Sequence, residues 1–172
     1  MSVMSRKGNI ILIGMPASGK STVGVILAKI CGKDFIDTDL VIHGKAGARL
    51  EEIIEKEGID SFLKYEEEAL LGINVTDTVI ATGGSAVYSA AAMKHLSEGG
   101  TVVYLKVGLD ELKRRLNGLK ERGVVIRPGE SLEEMYGLRS KLYESYADMC
   151  VSEDGSRLED TVSAVAEMLG NL

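Results

Sequence analysis

Cysteine, histidine, surplus positive charge and long apolar runs are what this chain is short of. Its two cysteines, Cys31 and Cys150, show neither C-x-x-C spacing nor the spacing of a disulfide framework, which predicts a reduced interior with both as packing residues. Its two histidines, His43 and His95, have no partner at metal-ligand spacing, so each reads as an exposed helix residue rather than a catalytic group. No segment approaches the ~20 apolar residues that cross a bilayer, and Met1 to Gly8 is too short and polar for a secretory signal. With 20 Lys and Arg against 26 Asp and Glu, the net charge of −6 argues against nucleic acid or an anionic membrane held by bulk charge. There is no internal repeat, low-complexity segment or interdomain linker. What remains is a single domain over residues 1–172, long enough to bury a core without staples, read as cytoplasmic and monomeric with small-molecule partners.

What is present is a phosphate-binding stretch. Gly14-Met15-Pro16-Ala17-Ser18-Gly19-Lys20-Ser21 follows the apolar run Asn9 to Ile13 and continues into the helix-compatible Thr22 to Ala28. The spacing is G-x-x-x-x-G-K-S/T between a strand and a helix, the context in which this motif cradles a nucleoside triphosphate. Gly14, Ala17, Ser18, Gly19 and Thr22 offer backbone N–H groups and the positive end of a helix to phosphate. Lys20 reaches the outer phosphates, and Ser21 holds the metal. The cofactors predicted are ATP and Mg2+.

Along the chain, strands are expected at residues 9–13, 35–39, 78–82, 101–105 and 149–151, with helical spacing at 40–43, 50–56, 61–71, 90–97, 109–117, 132–146 and 158–169. The alternation predicts an α/β three-layer sandwich around a five-stranded parallel sheet of the P-loop NTPase type, with ligands at the carboxyl ends of the strands. Residues 40–72 read as helices standing outside the sheet. Residues 118–130 read as a mobile lid, because Lys120, Arg122 and Arg127 are interleaved with Gly118, Gly123, Pro128 and Gly129. In the helix at 132–146, Leu138, Leu142, Tyr143 and Tyr146 are expected on the inner side. The acidic runs Glu51-Glu52 and Glu66-Glu67-Glu68 read as mostly solvated helix faces, with Glu66 the one to set apart.

A phosphoryl-transferring enzyme needs a cradle, a metal, an acceptor held in line and cations that enter late. Beside the loop, Asp37 can serve the metal, Asp39 can accept an acceptor hydroxyl proton, and Arg127 lies in the lid. Asp37 and Asp39 are expected on one side of an extended chain. The phosphate loop, the segment Phe35-Ile36-Asp37-Thr38-Asp39, the strand end Thr82-Gly83-Gly84 and the run Arg139-Ser140-Lys141-Leu142-Tyr143 together resemble the shikimate kinases, small P-loop kinases of the nucleoside-monophosphate-kinase type, over nearly the whole chain. That resemblance implies phosphorylation of a ring hydroxyl of shikimate to give shikimate 3-phosphate and ADP, in aromatic amino-acid biosynthesis. It implies that Asp39 binds the ring hydroxyls and is the base, that Gly83 and Gly84 line the substrate pocket, and that Arg139 pairs with the substrate carboxylate. It also implies that Arg115 lies near the adenine and that Arg127 is the lid arginine, with Arg122 the other candidate.

The chain departs from the family pattern G-E-x-x-F-R-x-x-E, having Ile59 for the glutamate and Leu63 for a substrate-binding arginine ahead of Glu66. Ser85 stands where the family has a third glycine. Ile59 and Leu63 share a helix face, so the change reads as a coupled repacking, and Lys64 is an imperfect stand-in for a guanidinium. Another hydroxylated carboxylate as acceptor is the alternative with the same chemistry. A nucleoside-monophosphate kinase is disfavoured because Arg49 is the single arginine between Asp39 and Leu71. A nucleotide-binding module without transfer activity would not need Asp39, Arg139 and a basic lid together.

Overall fold

β1, Asn9–Ile13, is buried along its whole length, as a strand covered on both faces must be. Its side chains alternate between two cores, Ile10 and Leu12 to one and Ile11 and Ile13 to the other. The computed structural model describes residues 8–117 and 124–170. In it β1 is the middle strand of a five-stranded sheet in the order β2-β3-β1-β4-β5, parallel at every pairing. The other strands are β2 (Asp34–Asp37), β3 (Thr78–Ala81), β4 (Gly100–Lys106) and β5 (Met149–Ser152). The helices are α1 (Lys20–Cys31), α2 (Thr38–Ala46), α3 (Leu50–Glu57), α4 (Ile59–Leu71), α5 (Ala90–Gly99), α6 (Leu109–Asn117), α7 (Leu132–Tyr146) and α8 (Leu158–Gly170). A short 3-10 turn, Ala86–Tyr88, follows β3 and was not expected from the pattern.

Parallel neighbours need crossovers, and these helices supply them, forming a layer on each side of the sheet. Val23, Leu27 and Ala28 of α1 and Val162 and Val165 of α8 close one face, while α5, α6 and α7 cover the other through Met93, Leu96, Leu112, Met135 and Tyr143. The chain runs from β1 to the edge strand β2, returns to β3 beside β1, then passes to β4 on the opposite side of β1. The loops after β1 and β3 thereby flank the crevice where such a sheet binds its ligands. A third, smaller core of Ile42, Ile53, Phe62, Ala69 and Val125 joins α2, α3 and α4, and Ile59 and Leu63 pack against it.

Three expectations change. β2 stops at Asp37 rather than Asp39, because Asp37 caps α2: its Oδ1 accepts the Asp39 N–H at 3.0 Å, and Asp39 sits in the first helical turn instead of on an extended chain. In α7, Leu138 faces outward, and Met135 and Arg139 take the buried stripe with Tyr143. Cys150 is exposed rather than a packing residue; both it and the half-buried Cys31 are free thiols. Of the expected lid, residues 118–123, with Gly118, Lys120, Arg122 and Gly123, lie outside the described residues. Residues 124–129 carry neither helix nor strand.

Candidate active site

The loop from Gly14 to Gly19 turns the chain from β1 into α1, with Gly19 as N-cap at φ 78° and Ala17 left-handed at φ 62°. Lys20, at the start of α1, is buried and folds back along this loop, donating from Nζ to the carbonyls of Gly14 (2.8 Å) and Met15 (2.6 Å) and to Ser18 Oγ (3.2 Å). Burial pushes its ammonium down to about 8, against the pull of Asp39 and Glu153. Ser21 donates to Asp37 Oδ2 at 2.6 Å, joining the first turn of α1 to the end of β2. These are hard oxygen donors of the kind Mg2+ takes, and among the described residues no cluster of three or more histidines, cysteines or carboxylates could hold a metal alone. Ser21 and Asp37 thus fit a cation that shares its shell with phosphate and water.

Two hydrogen bonds tie the strand ends together. Thr82 Oγ1 donates to the Leu12 carbonyl at 2.9 Å, and the Gly83 N–H donates to Thr38 Oγ1 at 3.2 Å. They set Asp39 beside Gly83 and Gly84. A Cβ at Gly83 would lie 2.6 Å from Glu66 Oε1 and 3.0 Å from Asp39 Oδ1, and one at Gly84 would lie 3.2 Å from Arg139 Nη1, so only glycine admits these approaches. Burial, then the neighbouring Asp37, raises the Asp39 carboxyl above its ordinary value, and Lys20 opposes both. Glu66, set apart from the solvated acidic faces of its run, is 2% exposed and accepts from Ser85 Oγ at 2.6 Å.

Arg139 is 1% exposed. Its guanidinium lies 5.0 Å from the centre of the Tyr88 ring, its Nε donates to Tyr88 Oη at 3.0 Å, and its Nη2 donates to the Val125 carbonyl. One turn on, Tyr143 Oη donates to the Gly84 carbonyl at 2.6 Å, fixing α7 to the loop after β3.

These groups share one cleft of about 200 Å³, lined by Ala17, Gly19 to Thr22, Asp39, Gly83, Gly84 and Arg139, with Phe62 and Val125 as apolar walls. Arg115 flanks the phosphate loop, donating from Nη1 to the Ala17 carbonyl (3.1 Å) and Glu153 (3.2 Å) and from Nε to Glu111 (2.7 Å). Arg127 is not brought to the cleft in this conformation; it pairs with Asp60 at 3.2 Å on the outer side of α4. His43 is exposed and His95 half-buried, its Nε2 2.7 Å from the Ile73 carbonyl, and neither lines the cleft. The sequence reading did not single out Tyr88, Glu153 or a role for the Glu66–Ser85 pair, since their partners lie far off in the chain.

Residues 16–170 match the family model for shikimate kinase. The chain is 35% identical over 173 residues to the shikimate kinase of Histophilus somni (strain 2336), covering 98% of this chain and 99% of that one. A solved shikimate kinase from Acinetobacter baumannii, in complex with shikimate, superposes with a TM-score of 0.85 at 30% identity, over 95% of this chain and 93% of that one. A gluconokinase from Sinorhizobium meliloti 1021, at 20% identity and a TM-score of 0.59, shares the fold.

Proposed function

The chain belongs to the shikimate kinase family and is an ATP- and Mg2+-dependent kinase that phosphorylates shikimate, and we propose how its residues divide the work. The observation that supports this division is that the phosphate loop, Asp39, Gly83, Gly84 and Arg139 line one cleft.

Lys20 leaves the loop carbonyls for the outer phosphates, and the inward N–H groups from Gly14 to Thr22 cradle the chain of phosphates. Ser21 and Asp37 would hold Mg2+, whose charge would stabilise that of the transferring group. Arg115, fixed by Glu111 and Glu153, forms the nucleotide-side wall. Arg139 takes the shikimate carboxylate, exchanging the Val125 carbonyl for it. Asp39 accepts the proton of the attacking ring hydroxyl, giving shikimate 3-phosphate; its raised affinity for protons suits a base. Arg127 reaches the transferring phosphoryl group only after leaving Asp60, a late entry that fits a lid.

We read residues 1–172 as one kinase domain and the enzyme as a cytoplasmic monomer, the single domain supported by one continuous parallel sheet and the compartment by two free thiols. No described helix is long and apolar enough to cross a membrane. Ile59 and Leu63 favour one variant reading, an acceptor less charged than shikimate. Purified protein with ATP, Mg2+ and a panel of hydroxylated acids tests this by ADP release. Turnover of shikimate at micromolar to millimolar concentration is expected; turnover of another acid and not shikimate would move the acceptor and leave the phosphate chemistry in place.

A further inference from the structure

Among the described residues, Arg139 is the one arginine that lines the main cleft, so whatever holds its guanidinium decides how a carboxylate meets it. The planar group has two edges that can act as a fork, one made of Nε and Nη2 and the other of Nη1 and Nη2. Nε donates to Tyr88 Oη at 3.0 Å, and Nη2 donates to the Val125 carbonyl. Nη1 comes against the bare face of Gly84, 3.2 Å from the position a Cβ would take there, and Gly84 is itself a wall of the cleft. A phenol closes the first edge. The second edge is the one beside the cleft.

Tyr88 stands on backbone that is held from several sides. It ends the 3-10 turn Ala86–Tyr88, and its own N–H donates to the Ser85 carbonyl at 3.0 Å. Before it, the Gly83 N–H is bonded to Thr38 of α2, the Gly84 carbonyl to Tyr143 of α7, and Ser85 to Glu66 of α4. After it, Ser89 caps α5 and donates to Glu67. A side chain on so constrained a turn loses little further freedom when it engages a partner. Its ring centre lies 5.0 Å from Arg139 Cζ, so one residue meets the cation with both a π face and a hydroxyl oxygen. Tyr143 acts on the same guanidinium from within α7. Tyr88 also lines a second cavity of about 310 Å³ with Leu63, Glu66 and Glu67, so truncating it gives the guanidinium room to turn toward those carboxylates.

We propose that Tyr88 is the positioning residue for Arg139: its hydroxyl occupies Nε and its ring the guanidinium face, leaving Nη1 and Nη2 as the edge that takes the acceptor carboxylate. This rests on the acceptor role given to Arg139 above. The edge that remains is a fork matched to the two oxygens of a carboxylate, met end on. The Val125 carbonyl holds Nη2 until the acceptor displaces it, whereas Tyr88 stays in place throughout. Because the fork is aligned before the acceptor arrives, loss of Tyr88 weakens acceptor binding and spares the chemical step.

The test is steady-state kinetics with shikimate varied at saturating ATP and Mg2+, and ADP titration as the check on folding. The proteins compared are the wild type, Tyr88→Phe, Tyr88→Leu, Arg139→Lys and the double variant Tyr88→Phe with Arg139→Lys. Tyr88→Phe, which keeps the ring and loses the accepting oxygen, should raise the shikimate KM about three- to tenfold. Tyr88→Leu, which loses both, should raise it further. In both, kcat and ADP affinity should stay within about twofold of wild type. Lysine has no Nε–H to place, so adding Tyr88→Phe to Arg139→Lys should leave KM where Arg139→Lys alone puts it. A general loosening of the turn would instead act equally in both backgrounds. A Tyr88→Phe KM equal to that of the wild type, or an equal rise in both backgrounds, overturns the proposal and leaves the kinase assignment standing. An Arg139→Lys enzyme with the wild-type KM overturns the proposal together with the role given to Arg139, and again leaves the kinase. Failure of the wild type to turn over shikimate overturns the acceptor assignment, and the proposal with it.

Discussion

Arg139 Nη2 donates to the carbonyl of Val125, so the segment that follows residue 123 occupies one edge of the guanidinium. On the role proposed for Arg139, acceptor binding would exchange one oxygen for another on a buried cation and release the segment. Arg139→Ala should raise the shikimate KM about 10- to 100-fold, the worth of a charge-assisted hydrogen bond, and lower the melting temperature because the guanidinium also stacks on Tyr88. Arg139→Lys keeps the charge without the fork and should recover part of the loss. Kinetics beside ADP titration separate the two effects; an unchanged KM in either variant would remove Arg139 from the acceptor site.

Ser21 and Asp37 meet at 2.6 Å, and neither belongs to the apolar cores. Lys20→Ala and Ser21→Ala should therefore stay folded with little turnover, and Asp37→Asn, which keeps the cap of α2, should need about tenfold or more Mg2+ for half-maximal rate. Circular dichroism and an Mg2+ titration of the rate are the measurements. Near-normal activity in Lys20→Ala would refute the role given to the phosphate loop.

Asp39→Asn retains size and hydrogen bonding but cannot take a proton. It should lower kcat by roughly 10²-fold or more while ATP binding is spared. Loss of nucleotide binding with an unaltered acceptor KM would exchange the roles of Asp37 and Asp39.

The Arg127–Asp60 pair is 56% and 82% exposed, so it holds Arg127 by less than ~1 kcal/mol and breaks easily. Arg127→Ala should reduce kcat more than nucleotide affinity, whereas Asp60→Asn should cost nothing and raise kcat at most a few-fold. If Arg122→Ala behaves this way and Arg127→Ala is silent, the lid arginine is residue 122.

Glu66 has a consequence for stability that needs no substrate. Its carboxyl moves from the usual 4.5 in the unfolded chain to about 7 in the native one, so the native state keeps a proton that the unfolded state has lost. The associated stability is complete below about pH 4.5 and is lost as pH rises through 7, on the order of 3 kcal/mol in all. Glu66→Gln does not titrate. In urea unfolding its stability relative to wild type should improve between pH 5 and pH 8, and a constant difference would show that Glu66 is ionised in the fold.

The sequence by itself determined everything that depends on neighbours along the chain. Gly14 to Ser21 form a phosphate loop because contiguous backbone groups cradle the ligand. β1 reads as a strand covered on both faces because five apolar residues run together, and α7 begins at Leu132 because Ser131 and Glu134 make a capping box. Resemblance carried the reading further, to Asp39, Gly84 and Arg139 as acceptor-site residues. Only the tertiary structure decided what depends on elements meeting. Asp39 opens a helix rather than ending a strand because pairing with β3 ends at Asp37 opposite Ala81 and the next residue, Thr38, is tied to Gly83. Glu66 is buried because α4 packs under the loop after β3, bringing it to Ser85 from nineteen positions away. Arg127 faces Asp60 and not the cleft because α4 offers it a carboxylate 67 residues distant. Local motifs are written in backbone geometry that a few residues fix, whereas burial and pairing follow from how helices settle on the sheet, which no short stretch specifies.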